Sequence, residues 1–210
     1  MYLPAAFEET RVDVLHALIR AHPLGLLVRS DPDGPLADTV PLMLDPEDGP
    51  LGTLVGHVAR ANPLWRHQGS DVLVVFQGPQ AYVSPNWYAS KAEHGKVVPT
   101  WNYVMVQARG RLQPIEDARG VHAIVDRLTD RHEAAQPRPW AVADAPADFT
   151  EGMLRAIVGI RIPLTALTGK WKTSQNRPAA DRDGVARGLR AQGGDSAQAM
   201  ADWVAGRAPQ

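Results

Sequence analysis

The chain has 210 residues, 44% hydrophobic and 21% charged, enough to bury a sizeable core in one compact domain or one domain with a small appendage. Twenty-two Lys and Arg against twenty-three Asp and Glu leave a formal net charge of −1, which excludes the strongly basic profile of a dedicated nucleic-acid binder. The absence of cysteine excludes disulfides, thiolate nucleophiles and cysteine-ligated metals, so any redox chemistry must belong to a bound cofactor.

From Glu8 to Ala21 the apolar positions Val12, Leu15, Leu18 and Ile19 follow helical spacing, and "HP" at 22–23 ends the pattern. Leu- and Val-rich runs then alternate with "DPDG" at 31–34 and "DPEDG" at 45–49, which predicts antiparallel strands near 24–29, 36–44 and 51–58. Pro41 cannot donate to a ladder, so its strand is expected at an edge or interrupted there. A short helix is expected at 59–69, a strand at 71–77, a "GPQ" turn and a further strand at 80–83. "VVPTWNYVMVQARGRLQPI" at 97–115 reads as one long strand with Gly110 as a bulge or bend. Helical periodicity covers 116–135, a Pro/Ala-rich connector 136–149, and a strand 156–167. The remainder reads as a polar loop and two short helices. No apolar run is long enough to span a bilayer and the start lacks a secretory pattern, so a cytoplasmic location is expected, with no membrane partner.

Common nucleotide-binding, hydrolase and zinc-protease signatures are absent, and His57, His67 and His94 show no metal-ligand spacing, so no metal site is expected and catalytic residues stay unassigned. Three stretches stand out. In "GHVARANP" at 56–63 free N–H groups and Arg60 suit an anion, but Asn62 as a helix cap and Pro63 at the first helical position explain the same pattern and fit it better. In "VVPTWNYVMVQARG" alternation places Pro99, Trp101 and Tyr103 on one face and Thr100, Asn102 and Val104 on the other. That leaves either a polar edge for a planar ligand or an ordinary aromatic core. "TGKWKTSQNRP" at 168–178 reads as a loop that closes over an anion or is simply solvated.

Together, "GHVARANPLW", "YVSPNWYASKAEHGKVVPTWNY" and "GKWKTSQNRP" resemble the PaiB-type family of FMN-binding negative transcriptional regulators, from "MYLPAAF" to about Gly184. The resemblance implies an α+β, mainly β, fold: an FMN-binding split β-barrel with peripheral helices over 1–168, and a basic loop with short helices packed on it over 169–210. It implies a homodimer with FMN in the cleft between subunits. It puts His57, Ala59, Arg60 and Asn62 near the FMN phosphate and ribityl chain, with Arg60 as the main countercharge. Pro99, Thr100, Trp101 and Asn102 would meet the flavin, and Lys170, Lys172, Ser174, Gln175 and Asn176 match a motif of undefined role.

Three functions stay open: a regulatory flavoprotein, an FMN-dependent oxidoreductase using a reduced nicotinamide donor, and a cofactor-free interaction protein. DNA is an alternative partner. Its contact is expected from the 170–190 segment, with six cations against Asp181 and Asp183, because the 196–205 helix has no Lys or Arg before Arg207.

Overall fold

The computed structural model describes residues 1–206; the last four, Arg207 among them, lie outside that description. In chain order the strands are β1 (Glu8–Glu9), β2 (Leu24–Asp31), β3 (Gly34–Asp45), β4 (Thr53–Ala59), β5 (Asp71–Val83), β6 (Thr100–Arg111), β7 (Gln113–Ile115) and β8 (Ile157–Lys172). The helices are α1 (Val12–Ala21), α2 (Ser90–His94), α3 (Ala118–Glu133), α4 (Ala147–Arg155), α5 (Ala179–Gln192) and α6 (Asp195–Val204). The hydrogen-bonded order β8-β4-β3-β2-β5-β6 returns to β8 through a β6–β8 pairing, so six strands close into a ring, with β1 and β7 added on β8. A closed ring leaves no long unpaired edge for another chain to extend.

The contacts divide into two compact units. One joins Met1–His22, Gln77–Val106 and the chain from Thr168 onward; the other joins Pro23–Phe76 and Gln107–Leu167. In the second unit β3 pairs with β2 as far as Leu24↔Pro41 and with β4 from Leu42↔Gly56. Pro41 therefore stands where the ladder changes partner, the interruption expected of a residue with no N–H. Asp117 caps α3, its carboxylate accepting from the Gly120 N–H at 2.8 Å, and the helix buries Ile124 and Leu128 against Met43 and Val55. The first unit has its own core, in which Val83 and Tyr88 meet Val185, Leu189, Met200 and Val204.

The structure corrects six expected elements. The first helix starts at Val12, because Glu8 and Glu9 pair with Lys170 and Gly169 as a strand. The helix expected at 59–69 is a single 3₁₀ turn, Pro63–Arg66, held by the Asn62 side chain, which accepts from the Leu64 N–H. No turn forms at "GPQ": β5 is continuous, and Gly78 lets Val104 and Leu18 approach to 2.6 and 2.9 Å of where a Cβ would stand. β8 runs on through "TGKWK", so only Thr173 to Pro178 of the expected loop is irregular. The long strand breaks at Leu112, whose N–H donates to the Ser70 carbonyl, and the 136–149 connector contains a 3₁₀ turn at Val142–Asp144 and the start of α4.

Candidate functional site

The expected site residues form two groups, one in each unit. In the second unit β4 ends at Ala59, and two local backbone donors are occupied: the Arg60 N–H donates to the Ala156 carbonyl and the Asn62 N–H to the Ala59 carbonyl. Two of the three backbone donors at 60–62 are thus spent within the protein, and Asn62 and Pro63 act as helix cap and first helical position.

The Arg60 side chain is another matter. Its Nε donates to the Arg155 carbonyl at 2.9 Å and its Nη2 to the Ile157 carbonyl at 3.0 Å, while Nη1 reaches the Glu116 carboxylate at 3.3 Å. Two neutral carbonyls fix the guanidinium without cancelling its charge, and Glu116 is half exposed. Asn62 donates to Asp38 at 2.8 Å, and His57, Ala59, Asn62 and Asp38 share the wall of an open cavity of about 360 Å³. Burial pushes the His57 imidazole below its ordinary value of 6.5, so the ring is neutral at pH 7.

In the first unit β6 alternates as expected: Asn102 and Val104 are buried and Trp101 is 54% exposed. The Asn102 amide, however, serves the protein: its Nδ2 donates to Ser174 Oγ at 2.9 Å, and the Ser174 hydroxyl faces Asn102 Oδ1 at 3.3 Å. This pair ties β6 to the turn after β8, where Ser174 adopts φ 62° and Gln175 accepts from the Thr173 N–H and donates to the Trp171 carbonyl. Lys172 donates to the Thr100 hydroxyl, and Lys170, buried, donates to the Tyr2 carbonyl at 2.9 Å beneath Tyr103. Among the described residues neither lysine has a carboxylate within ion-pair distance. Burial, with the Lys170 and Arg177 charges beside it, pushes Lys172 down against a smaller opposing effect from Tyr103. Pro99 is exposed at the mouth of β6.

Residues 1–166 match the family described as "Putative FMN-binding domain". The chain belongs to this FMN-binding family. It is 36% identical to an uncharacterized protein of Emericella nidulans across 97% of this chain and 96% of that one. It is 30% identical to the protease synthase and sporulation protein PAI 2 of Bacillus subtilis, across 96% and 95%. Its fold is similar to the FAD and heme binding protein of Mycobacterium smegmatis (TM-score 0.60, 17% identity, 79% of this chain and 73% of that one). It is similar also to the flavocytochrome Anf3 of Azotobacter vinelandii (TM-score 0.58, 14% identity, 79% and 69%). The closed ring of six strands with peripheral helices is the split β-barrel.

FMN, the cofactor of the family, joins a phosphate to a planar ring with a carbonyl edge, and the donors present fit both parts. Arg60 is a cation held by two backbone carbonyls with a half-exposed carboxylate, Glu116, at its third nitrogen, and Lys172 with Thr100 presents donors without a competing carboxylate. One member of these groups escaped the sequence pattern, and another lies within "GKWKTSQNRP". Asp38 lies on β3 with no local signal, and Arg177, 4.9 Å over the Tyr88 ring, adds to the charge beside Lys172.

Proposed function

We propose that this chain is a regulatory flavoprotein of the PaiB type, a cytoplasmic homodimer in which Arg60 takes the FMN phosphate and Thr100 and Lys172 of the partner protomer meet the flavin ring. The observation that carries it is the Arg60 guanidinium, fixed by the Arg155 and Ile157 carbonyls and ion-paired only with the half-exposed Glu116 carboxylate. His57, Ala59 and Asn62 line the cavity beside it and suit the ribityl chain. On this reading Asn102, Ser174 and Gln175 do not touch the ligand; they hold the turn that presents Lys172. When bound, FMN supplies reversible electron transfer.

The regulatory output runs through the flavin site rather than through DNA reading. α6 carries no Lys or Arg within Asp195–Val204, and the expected basic segment is partly spent: Lys170 is buried and Arg190 pairs with Asp202 at 3.0 Å. The nicotinamide-dependent oxidoreductase alternative is not carried forward, since no feature among the described residues favours it. Replacing Arg60 by Ala should weaken FMN by about 1.5–3 kcal/mol and leave riboflavin nearly unchanged. Equal losses of both ligands in a fluorescence titration would remove Arg60 from the phosphate. The companion change Lys172→Gln should lower the affinity for both flavins and leave salt-dependent DNA retention unaltered.

A further inference from the structure

The segment between α3 and β8 covers a second cavity, of about 230 Å³, of whose lining the flavin reading uses only His57. Val142 and Ile157 line its interior, and Trp140, Phe149 and Met153 line its mouth while remaining 47, 59 and 53% exposed. No Lys, Arg, Asp or Glu lines it. The one ionisable group on its wall is His57, whose imidazole also faces the neighbouring polar cavity.

His57 Nδ1 is sealed from solvent and has no hydrogen-bond partner. A buried N–H without an acceptor is the costlier of the two ways to leave that atom unpaired, which favours the tautomer with the proton on Nε2. Nε2 is then the donor of the ring that lines the cavity.

We propose that this cavity binds an uncharged, single-ring aromatic compound whose carbonyl oxygen accepts from His57 Nε2–H. The size suits it: an apolar cavity of about 150 Å³ already holds benzene, so the larger volume leaves room for a polar substituent. The charge follows from the wall. An anion would meet no cation there, and burial keeps the imidazole neutral at pH 7. The aromatic preference follows from Trp140 and Phe149 at the entrance, which offer ring faces and edges to a planar guest. The inference goes beyond the flavin reading and is carried by residues of one compact unit.

Benzamide, benzoate and toluene, titrated into the purified protein with Trp140 emission as the signal, test this. The Trp140→Phe variant identifies the responding tryptophan, and flavin absorbance is recorded throughout. Benzamide should bind and benzoate should not. His57→Leu should weaken benzamide about tenfold and leave toluene unchanged, the loss expected for one hydrogen bond. Met153→Trp, at an exposed position that does not threaten folding, should block both neutral rings while the FMN content stays constant. The proposal is overturned if benzamide and benzoate bind alike, or if His57→Leu leaves benzamide affinity unchanged. It is equally overturned if benzamide displaces FMN or if its loss tracks FMN loss in both variants, which would make the cavity part of the flavin site. Dissociation of an oligomer by Met153→Asp would assign the face to a second copy and overturn it as well.

Discussion

His57 shows how position sets the chemistry of a side chain. It sits on β4 opposite Gly159 of β8, where burial disfavours the imidazolium. His22 is shifted the same way by burial at the end of α1. In the unfolded chain both rings take up a proton near pH 6.5, whereas in the native protein they resist it to lower pH. The unfolded state then binds more protons, so stability is complete above about pH 6.5 and declines as pH falls from there towards the depressed native values. Urea midpoints should therefore drop between pH 7.5 and pH 5.5, and His57→Leu should shrink that drop. An unchanged slope in the variant would mean that the imidazole is solvated. Asp181 illustrates the opposite balance: burial would raise its carboxyl, but the N–H and hydroxyl of Ser90, at 2.9 and 2.8 Å, outweigh it and hold it below the usual range.

α5 explains why a tryptophan stands at position 87. Gly184 and Gly188 lie one turn apart and open a flat strip on which Trp87 rests. A Cβ at Gly188 would fall 2.3 Å from the indole, and one at Gly184 would fall 1.9 Å from the Trp87 carbonyl oxygen. Gly188→Ala should destabilise the protein by about 1–3 kcal/mol, since a rigid ring rather than a flexible tip must move. Gly152→Ala in α4 is the control: its nearest neighbour is 3.9 Å away, so the change should be neutral or stabilise by up to about 1 kcal/mol. Thermal melts of the two variants that move together would sink the argument. This packing also marks the limit of reading by sequence. The periodic elements β2, β3, β4, α3, α5 and α6 are legible because each carries its own apolar repeat. The 59–69 stretch is not helical because one buried residue, Leu64, cannot anchor more than a turn, and "TGKWK" hides a strand because buried Lys170 breaks the apolar pattern. At the site, "GHVARANP" and "VVPTWNY" are local strings and could be recognised. The Asn62–Asp38, Asn102–Ser174 and Trp87–α5 partnerships join distant segments, and no local composition announces them.

At the scale of the whole molecule, Trp87, Trp101 and Tyr103 make a weak case for a partner chain. Only Trp101 is strongly exposed; Trp87 is covered by α5, and Tyr103 lies beside Lys170. A better argument for a second copy comes from β2. Its alternation puts Leu27 and Arg29 inside and Leu24 and Leu26 outside, 61 and 42% exposed, with Pro41 and Thr39 opposite them on the same face of β3. Trp101 adds a second apolar surface with Tyr82, whose ring it meets edge to face at 6.1 Å. Outward leucines on a barrel strand gain nothing from water, and burying each against a partner contributes roughly 1.5–3 kcal/mol per fully covered side chain. A homodimer is therefore the expected state, and Leu26→Glu should dissociate it without unfolding the barrel, because the side chain lies outside the core. Sedimentation equilibrium over a hundredfold concentration range, with far-ultraviolet circular dichroism of the variant, checks both halves. A wild-type protein that stays monomeric with FMN bound would overturn the dimer and, with it, the partner protomer's share in the flavin site. A dimer indifferent to Leu26→Glu would keep the assembly and move its seam from β2 to the Tyr82–Trp101 surface, where Trp101→Ser should then dissociate it.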